Sequence, residues 1–418
     1  MNLLLSHPTG NANVRAASYG LLQANLLAEF NTCIATFPGD LLDYLSRIGP
    51  FSELNRRRFD ASLQPFTHIF PWWEIGRLVA SRVGYSKLTA HQIGPFSVDA
   101  VYQHFDKHVS SRLSALKKHS LQAVYAYEDG SAFTFNKAKQ LHINCFYDLP
   151  IGYWRTARRL LETERERWPE WSATLTGFRD TEEKLMRKDE ELRLADQIFV
   201  ASQFTASTLE DYPSPLKPIT VIPYGFPQVT REKEYKGFSP FRPLKLLFVG
   251  SLSQRKGIAN LFAAVEPLKS YIQLTVVGQK TGSTCLALDH ALTKHNWIPS
   301  LSHEKVLNLM HEHDVLVFPS LFEGFGLVIT EAMSQGTPVI TTERTAGPDL
   351  INHGQNGWLV EAGATEALQT RLEHLIQYPD QIASAGQAAL ETARQRPWSV
   401  YGNELAKAIA QSLHLQST

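Results

Sequence analysis

The fold is decided by the stretch Val317-Phe318-Pro319-Ser320-Leu321-Phe322-Glu323-Gly324-Phe325-Gly326-Leu327-Val328-Ile329-Thr330-Glu331-Ala332-Met333. Its apolar start predicts a strand, its Gly-x-Gly centre a tight loop and its last third a helix. The first turn of such a helix has unpaired backbone N–H groups at the positive end of the helix dipole, so it can bind a diphosphate. Two carboxylates, Glu323 and Glu331, bracket this turn and can accept hydrogen bonds from hydroxyl pairs.

The rest of the second half alternates between predicted strands and helices. The strands, each a short apolar run, are Leu244–Val249, Ile272–Val277, Val315–Phe318, Pro338–Thr341 and Trp358–Val360. The helices are Gly257–Leu268, His303–His311 and Leu327–Ser334. This alternation is typical of a mostly parallel sheet covered by helices.

The first half shows the same alternation with weaker signals. Its predicted strands are Leu3–Ser6, Gln122–Tyr127, His142–Phe146, Gln197–Ala201 and Ile219–Ile222. A turn containing Gly10 follows the first strand, and a helix is predicted from Arg15 to about Phe30. The stretch from Arg155 to Arg193 is rich in Arg, Glu and Lys, and predicts solvated helices interrupted near Trp168-Pro169.

These elements predict an α/β protein of two tandem Rossmann-like, doubly wound domains with a ligand cleft between them. The first domain is predicted over residues 1–228, a linker over 229–243, the second domain over 244–396 and a final helix over 397–418. The linker is predicted from its prolines and charges. In the final helix Tyr401, Leu405, Ile409 and Leu413 repeat every four residues, which predicts an apolar face that packs on another surface.

Composition limits the function classes. Lys+Arg and Asp+Glu both number 41, so the formal net charge is +0, and a general nucleic-acid binder is not expected. The three cysteines, Cys33, Cys145 and Cys285, are far apart, which argues against a disulfide framework and fits reduced thiols.

The expected location is the cytoplasm. Residues 1–10 have no cationic region and too short an apolar run for a signal peptide, and no apolar stretch approaches the ~20 residues of a membrane span. Peripheral contact with the inner face of a membrane stays open. Arg155, Arg158 and Arg159 share a helical face that could make such a contact, although the glutamates beside them favour a solvated helix.

Glu323 and Glu331, separated by seven residues, form a Glu-x7-Glu pattern in a Pro-Ser-x-x-Glu-Gly-Phe-Gly context. This segment resembles the retaining glycosyltransferases of family 4, which have the GT-B fold. Three further segments resemble that family in the same order: Phe248–Leu252 with Arg255-Lys256-Gly257, Gly336–Ile340 with Gly347-Pro348-Asp349, and Gly354–Val360. The resemblance is sharp from about Leu244 to Glu361 and weak before Ala195.

The resemblance implies a role for each matching residue. Glu323 would hold the transferred sugar and Glu331 the ribose hydroxyls of a nucleotide-diphosphate sugar. Lys256, with Arg255, would neutralise the departing diphosphate. The remaining implied donor contacts are Gly324, Phe325, Gly326, Leu327, Gly10 and Ser251. In that fold the final helix crosses back onto the first domain.

The chain departs from the family pattern at two places. Ser251 stands where the family often has Arg, and Arg255 is expected to supply that charge. Many members also have a first-domain His near the reacting sugar. Here the equivalent positions are Tyr147-Asp148 or Glu128-Asp129, and the sequence does not decide between them.

Neither a metal nor another cofactor is expected. The chain contains no Asp-x-Asp pair and no Walker-type loop, so Arg255, Lys256 and the helix N-terminus are expected to balance the diphosphate charge. His311 and His313 are two residues apart and would not share a helix face, which argues against a metal cluster there.

The predicted function is therefore metal-independent, retaining transfer of a sugar from a UDP-, GDP- or ADP-linked donor. The acceptor would be a glycan, a glycolipid or a lipid-linked molecule, as in polysaccharide biosynthesis. Two alternatives stay open: a non-catalytic nucleotide-sugar binder, and a phosphorylase- or epimerase-type enzyme on the same fold.

Overall fold

The computed structural model describes residues 2–40, 43–44, 57–230, 232–235, 242–281 and 284–415. Residues 231 and 236–241 of the predicted linker, and the last three residues of the predicted final helix, lie outside that range. The described residues form two parallel sheets, one in each half of the chain. The prediction of two Rossmann-like domains in the GT-B arrangement is confirmed.

The first sheet has the strand order β3-β2-β1-β4-β5-β6-β7. Its strands are β1 Leu3–Ser6, β2 Leu27–Thr32, β3 Thr67–Ile69, β4 Ala123–Tyr127, β5 Asn144–Leu149, β6 Gln197–Val200 and β7 Ile219–Val221. Its helices are α1 Ala12–Gln23, α2 Trp72–Arg82, α3 Val98–Lys118, α4 Ala132–Gln140, α5 Trp154–Arg167, α6 Glu182–Leu194 and α7 Gln203–Thr208. Central strands such as Leu3-Leu4-Leu5 are fully buried, because helices cover both faces of the sheet.

The second sheet has the order β10-β9-β8-β11-β12-β13. Its strands are β8 Leu244–Val249, β9 Ile272–Val277, β10 Asn296–Ile298, β11 Val315–Phe318, β12 Val339–Thr342 and β13 Gly357–Val360. Its helices are α8 Ile258–Val265, α9 Leu286–Leu292, α10 His303–Glu312, α11 Leu327–Ser334, α12 Gly347–Leu350, α13 Thr365–Gln377 and α14 Asp380–Gln395, and α15 Trp398–Leu415 follows them. In both sheets the carboxyl ends of the strands form the edge where ligands of doubly wound folds bind.

The helix predicted from Arg15 to Phe30 is wrong in its second half. The helix ends at Gln23, and Asn25 has a φ of 54°, a left-handed conformation that ends helices. The chain then turns into β2, whose Phe30 is fully buried between neighbouring strands. The apolar residues after Asn25 therefore belong to a strand.

The charged stretch from Arg155 to Arg193 breaks where it was predicted to, because α5 ends at Arg167. It is not a plain solvated stretch, however, since Glu164 and Glu191 are buried. Residues 168–179, which we call the strap, connect α5 to α6 through two 3-10 turns, Pro169–Thr174 and Thr176–Arg179. Trp171 of the strap packs into the apolar core of the second domain, with its ring 5.9 Å from that of Phe262.

The final helix α15 crosses back onto the first domain and lies on α1. Its predicted apolar face, Tyr401, Leu405, Ile409 and Leu413, is buried. The two helices approach most closely at Gly20 and Gly402, where a Cβ atom on Gly20 would overlap the carbonyl of Gly402. Glycine at this crossing is thus required by packing.

We expect Gly20→Ala to destabilise the protein by about 1–3 kcal/mol, because the added methyl group overpacks the helix crossing and outweighs alanine's better helix propensity, worth about 1 kcal/mol. The measurement is the free energy of unfolding in urea. Gly177→Ala is the matched control, since no heavy atom lies within 4 Å of a Cβ there. Equal stability of the two variants would show that the crossing tolerates a wider spacing.

Candidate active site between the domains

The loop between β11 and α11 lies against the first domain. A Cβ atom on Gly324 would overlap the Pro150 carbonyl, which follows β5. Ser202 Oγ and Thr205 Oγ1, also from the first domain, donate hydrogen bonds to the Gly324 carbonyl at 2.5 and 2.7 Å. Gly326, the residue directly before α11, has a φ of +88°, a conformation that favours glycine. The loop is thereby fixed with the helix N-terminus in the cleft.

Glu323 meets both predicted cations. Its carboxylate forms an ion pair with Lys256 Nζ and accepts a hydrogen bond of 3.1 Å from Arg255 Nη1, which also donates to the Phe322 carbonyl at 2.8 Å. Burial lowers the pKa of Arg255 to about 10. Burial, and then the charge of Arg255, lower the pKa of Lys256. Two cations therefore face one carboxylate in a poorly hydrated place, which favours binding of a further anion.

Glu331 is one turn inside α11 and has a different partner. Its Oε1 atom lies 3.0 Å from Nε2 of His303, at the start of α10. His303 was not singled out from the sequence, where a lone histidine far from the motif gives no signal. The pair places a carboxylate and an imidazole together, and both can bind hydroxyl groups.

The start of α11 keeps its donors unused. In the part of the chain that the structure describes, the backbone N–H groups of Phe325, Gly326 and Leu327 make no hydrogen bond. They are the groups that the resemblance assigns to phosphate contacts. Ser251 follows β8 with an exposed side chain, as a ligand contact would require.

Gly10 reaches this loop only indirectly. Its buried main chain follows β1, and its carbonyl accepts a hydrogen bond from the Arg15 guanidinium. At the start of α1, directly after this turn, Asn13 Nδ2 donates to Tyr224 Oη at 3.3 Å, and the Tyr224 ring lies 4.9 Å from the Phe325 ring. The first-domain turn and the helix start are thus connected through one tyrosine.

In the two candidate pairs for the first-domain histidine, neither Asp148 nor Glu128 is accessible, whereas Asp129 is partly exposed and lies 3.6 Å from Lys184 and Lys188. Asp148 is buried and accepts a hydrogen bond of 2.5 Å from Tyr125, and burial raises the pKa of Asp148 to about 7. Glu128 is buried 3.2 Å from Lys188, and its pKa is raised by burial. Asp148 therefore serves an internal hydrogen bond, and Glu128 an internal ion pair.

His7 is a first-domain histidine that the sequence reasoning missed. It follows β1 directly, and its ring stands edge-on to Tyr127 at 4.6 Å. Burial lowers the pKa of His7 to about 4, so the ring is neutral at neutral pH. The signal in the sequence was its place immediately after the first strand.

The strap holds the loop that carries the cations. Ser253 Oγ donates to the Thr174 carbonyl at 2.8 Å, and Gln254 N donates to Thr174 Oγ1 at 2.9 Å. The fully buried Gln254 side chain also donates to Glu164 Oε2 at 3.0 Å. The 3-10 turn Gln254–Lys256 is therefore positioned by hydrogen bonds that it and Ser253 donate to acceptors in the first domain.

The described residues contain no group of three or more His, Cys, Asp or Glu side chains arranged to hold a metal ion. Among them there is also no helix both long and apolar enough to cross a membrane.

The second half of the chain is similar in sequence to known proteins. Residues 230–392 match the model of the family described as "Glycosyl transferases group 1". The glycogen synthase of Mycobacterium tuberculosis is 31% identical over 162 residues, which cover 37% of this chain and 38% of that protein. The chain thus spans about two fifths of the length of this curated relative.

Solved structures match over the whole chain and show the fold. Sucrose-phosphate synthase from Thermosynechococcus elongatus superposes with a TM-score of 0.62 at 17% identity, over 99% of this chain and 100% of that one. Anabaena HepE, solved in complex with UDP, superposes with a TM-score of 0.61 at 15% identity, over 98% and 100%.

We expect Thr174→Val to lower the free energy of unfolding by about 1–3 kcal/mol, because valine leaves the buried Gln254 N–H without its acceptor. Urea unfolding measures the loss. Thr176→Val is the matched control, because Thr176 lies in the same strap with an exposed side chain and should be nearly neutral. Similar losses in both variants would contradict the assigned hydrogen bond.

Proposed function

We propose that this protein is a glycosyltransferase that moves a sugar from a nucleotide-diphosphate donor onto a hydroxyl-bearing acceptor. One observation carries the proposal: Glu323 meets Arg255 and Lys256 beside a helix start with three unused backbone donors. A carboxylate suits sugar hydroxyls, while two cations and a helix N-terminus suit a diphosphate. The family match of residues 230–392 supports it.

In the proposed reaction the acceptor hydroxyl oxygen bonds to the anomeric carbon as the bond from that carbon to the diphosphate oxygen breaks. The hydroxyl proton passes to the departing diphosphate. Arg255, Lys256 and the amides of Phe325 to Leu327 stabilise the charge that develops on that diphosphate. Glu323 holds the sugar, and Glu331, with His303, holds the ribose.

We further propose that the reaction retains the anomeric configuration and needs no metal. The ground for the second point is that these cations and amides supply the positive charge that a metal would otherwise supply. Proton NMR of the product formed in the presence of EDTA tests both points. Loss of turnover that Mg²⁺ or Mn²⁺ restores would contradict metal independence, and a product of inverted configuration would contradict retention.

The acceptor and the location are also proposals: a glycan or lipid-linked acceptor, in the cytoplasm, with peripheral contact to the inner membrane face. Arg155 and Arg159 are engaged by Asp189 and Asp211, and the surface that we propose for such contact is α2. Trp72, Ile75 and Val79 of α2, and Val83 directly after it, are exposed, and Glu74 is the one acidic residue between 61 and 98. We expect the protein to float with anionic phosphatidylglycerol vesicles but not with neutral vesicles. Equal recovery of the protein with both kinds of vesicle would contradict this proposal.

The donor site is tested by thermal unfolding with UDP, GDP and ADP. We expect one nucleotide to stabilise the native protein, by roughly 2.7 kcal/mol at about 100 times its dissociation constant. UDP is tested first because Anabaena HepE was solved with it. Glu331→Ala should lose most of this stabilisation, because the ribose loses its carboxylate.

Glu343→Ala is the matched control, an exposed carboxylate in the same domain, and should keep the stabilisation. If none of the three nucleotides stabilises the native protein at millimolar concentration, the proposed function is wrong. If a nucleotide binds but no sugar is transferred to any acceptor, the chain is a nucleotide-sugar binder.

A further inference from the structure

A small cavity opens between the strap and the loop that carries the cations. Its volume is about 190 Å³. The first domain contributes α5, the strap and the start of α6 to its wall, and the second domain contributes Ser253, Arg255 and Phe322. We call it the strap pocket. Because Arg255 both lines it and contacts Glu323, the pocket adjoins the place proposed for the transferred sugar.

The charges in the strap pocket do not cancel. Lys188 is paired with Glu128 at 3.2 Å and with Asp129 at 3.6 Å, and Asp180 is paired with Lys184 at 3.3 Å. Arg158 has no such partner among the described residues, in which no carboxylate lies within 4.0 Å of it. Its guanidinium makes one long hydrogen bond of 3.5 Å to the Asp180 main chain.

Arg255 adds a second positive group. Its Nη1 atom shares Glu323 with Lys256, so one carboxylate serves two cations. Arg158 and Arg255 together therefore leave a surplus of positive charge in a partly desolvated cavity. A surplus of this kind favours an anionic ligand, and guanidinium groups match the oxygens of phosphate.

The remaining wall is apolar and aromatic. Leu161, Leu175 and Phe178 line it, together with Trp154, whose ring lies 5.1 Å from the Arg158 guanidinium carbon. Such surfaces pack against the apolar face of a sugar or polyol ring. The volume is below the ~300–1,000 Å³ of typical ligand pockets, so it suits one ring or a short group.

We propose that the strap pocket binds a phosphate-bearing sugar or polyol as the acceptor, with the phosphate between Arg158 and Arg255. The phosphate is held and does not react, while a hydroxyl on the same molecule is presented towards the sugar beside Glu323. This inference rests on the proposed function and adds the acceptor's chemical class. The phosphate could belong to a free sugar phosphate or to a lipid-linked one, since both present the same group.

The first test compares glucose 6-phosphate with glucose by calorimetry. The native protein should bind the phosphate form at least about tenfold more tightly, as expected for a charge-assisted hydrogen bond. Arg158→Gln should remove this preference, and Arg158→Lys should keep part of it. Arg159→Gln is the matched control, because Arg159 is the next residue of the same helix but is exposed and paired with Asp211, and it should bind like the native protein.

The second arm identifies the source of the phosphate. Phosphatidylcholine vesicles that carry polyprenyl phosphate should compete with glucose 6-phosphate if the acceptor is lipid-linked, and should not compete if it is free. In either case the nucleotide-dependent stabilisation of Arg158→Gln should match that of the native protein, because Glu331 and the helix start are unchanged.

Three outcomes would overturn the proposal. They are equal binding of glucose and glucose 6-phosphate with no competition by the vesicles, a preference that survives in Arg158→Gln, and an equal loss in Arg159→Gln. If nucleotide binding persists in these cases, the strap pocket assignment alone fails. If native protein shows no nucleotide binding either, the proposed function fails with it.

Discussion

The Gly324 carbonyl accepts hydrogen bonds from Ser202 and Thr205, and this contact holds the loop between β11 and α11 against the first domain. It works only because residue 324 has no Cβ, so that the loop can touch the main chain of Pro150. With the loop held there, Glu323 points at the cations of a neighbouring loop and α11 starts inside the cleft. The positions of Glu323 and of the start of α11 therefore follow from one close approach of two main chains.

The second constraint is electrostatic. Arg255 and Lys256 are buried enough to lower their pKa values, so the fold places positive charge where water stabilises it poorly. Glu323 compensates part of that charge in the ligand-free protein. An anionic ligand would compensate the remaining positive charge. The cleft is therefore expected to favour diphosphates, and this preference does not depend on any single side chain.

The sequence predicts structural elements that lie within one short stretch and have a strong residue pattern. The strand, loop and helix around Glu323 lie within one continuous stretch, so the sequence predicts their order and spacing. It also predicts the buried face of α15. It could not predict that Asn25 ends α1 and frees Leu27–Thr32 for a strand, because apolar residues there fit either element. Contacts between distant segments, such as Trp171 with Phe262 or His303 with Glu331, leave no local signal. His7 could have been predicted as a candidate site residue, because it directly follows β1.

The strap belongs to the first domain by its place in the chain but packs against the second domain. Trp171 lies in the chain of the first domain, yet its ring completes the core of the second, and Thr174 and Glu164 hold the second domain's loop. A chimaera joined at the linker to a foreign partner half would therefore leave a cavity in one core and unpaired donors at the transplanted loop. In this chain the halves are not interchangeable modules, and substitutions at the strap would have to evolve together with the loop that it supports.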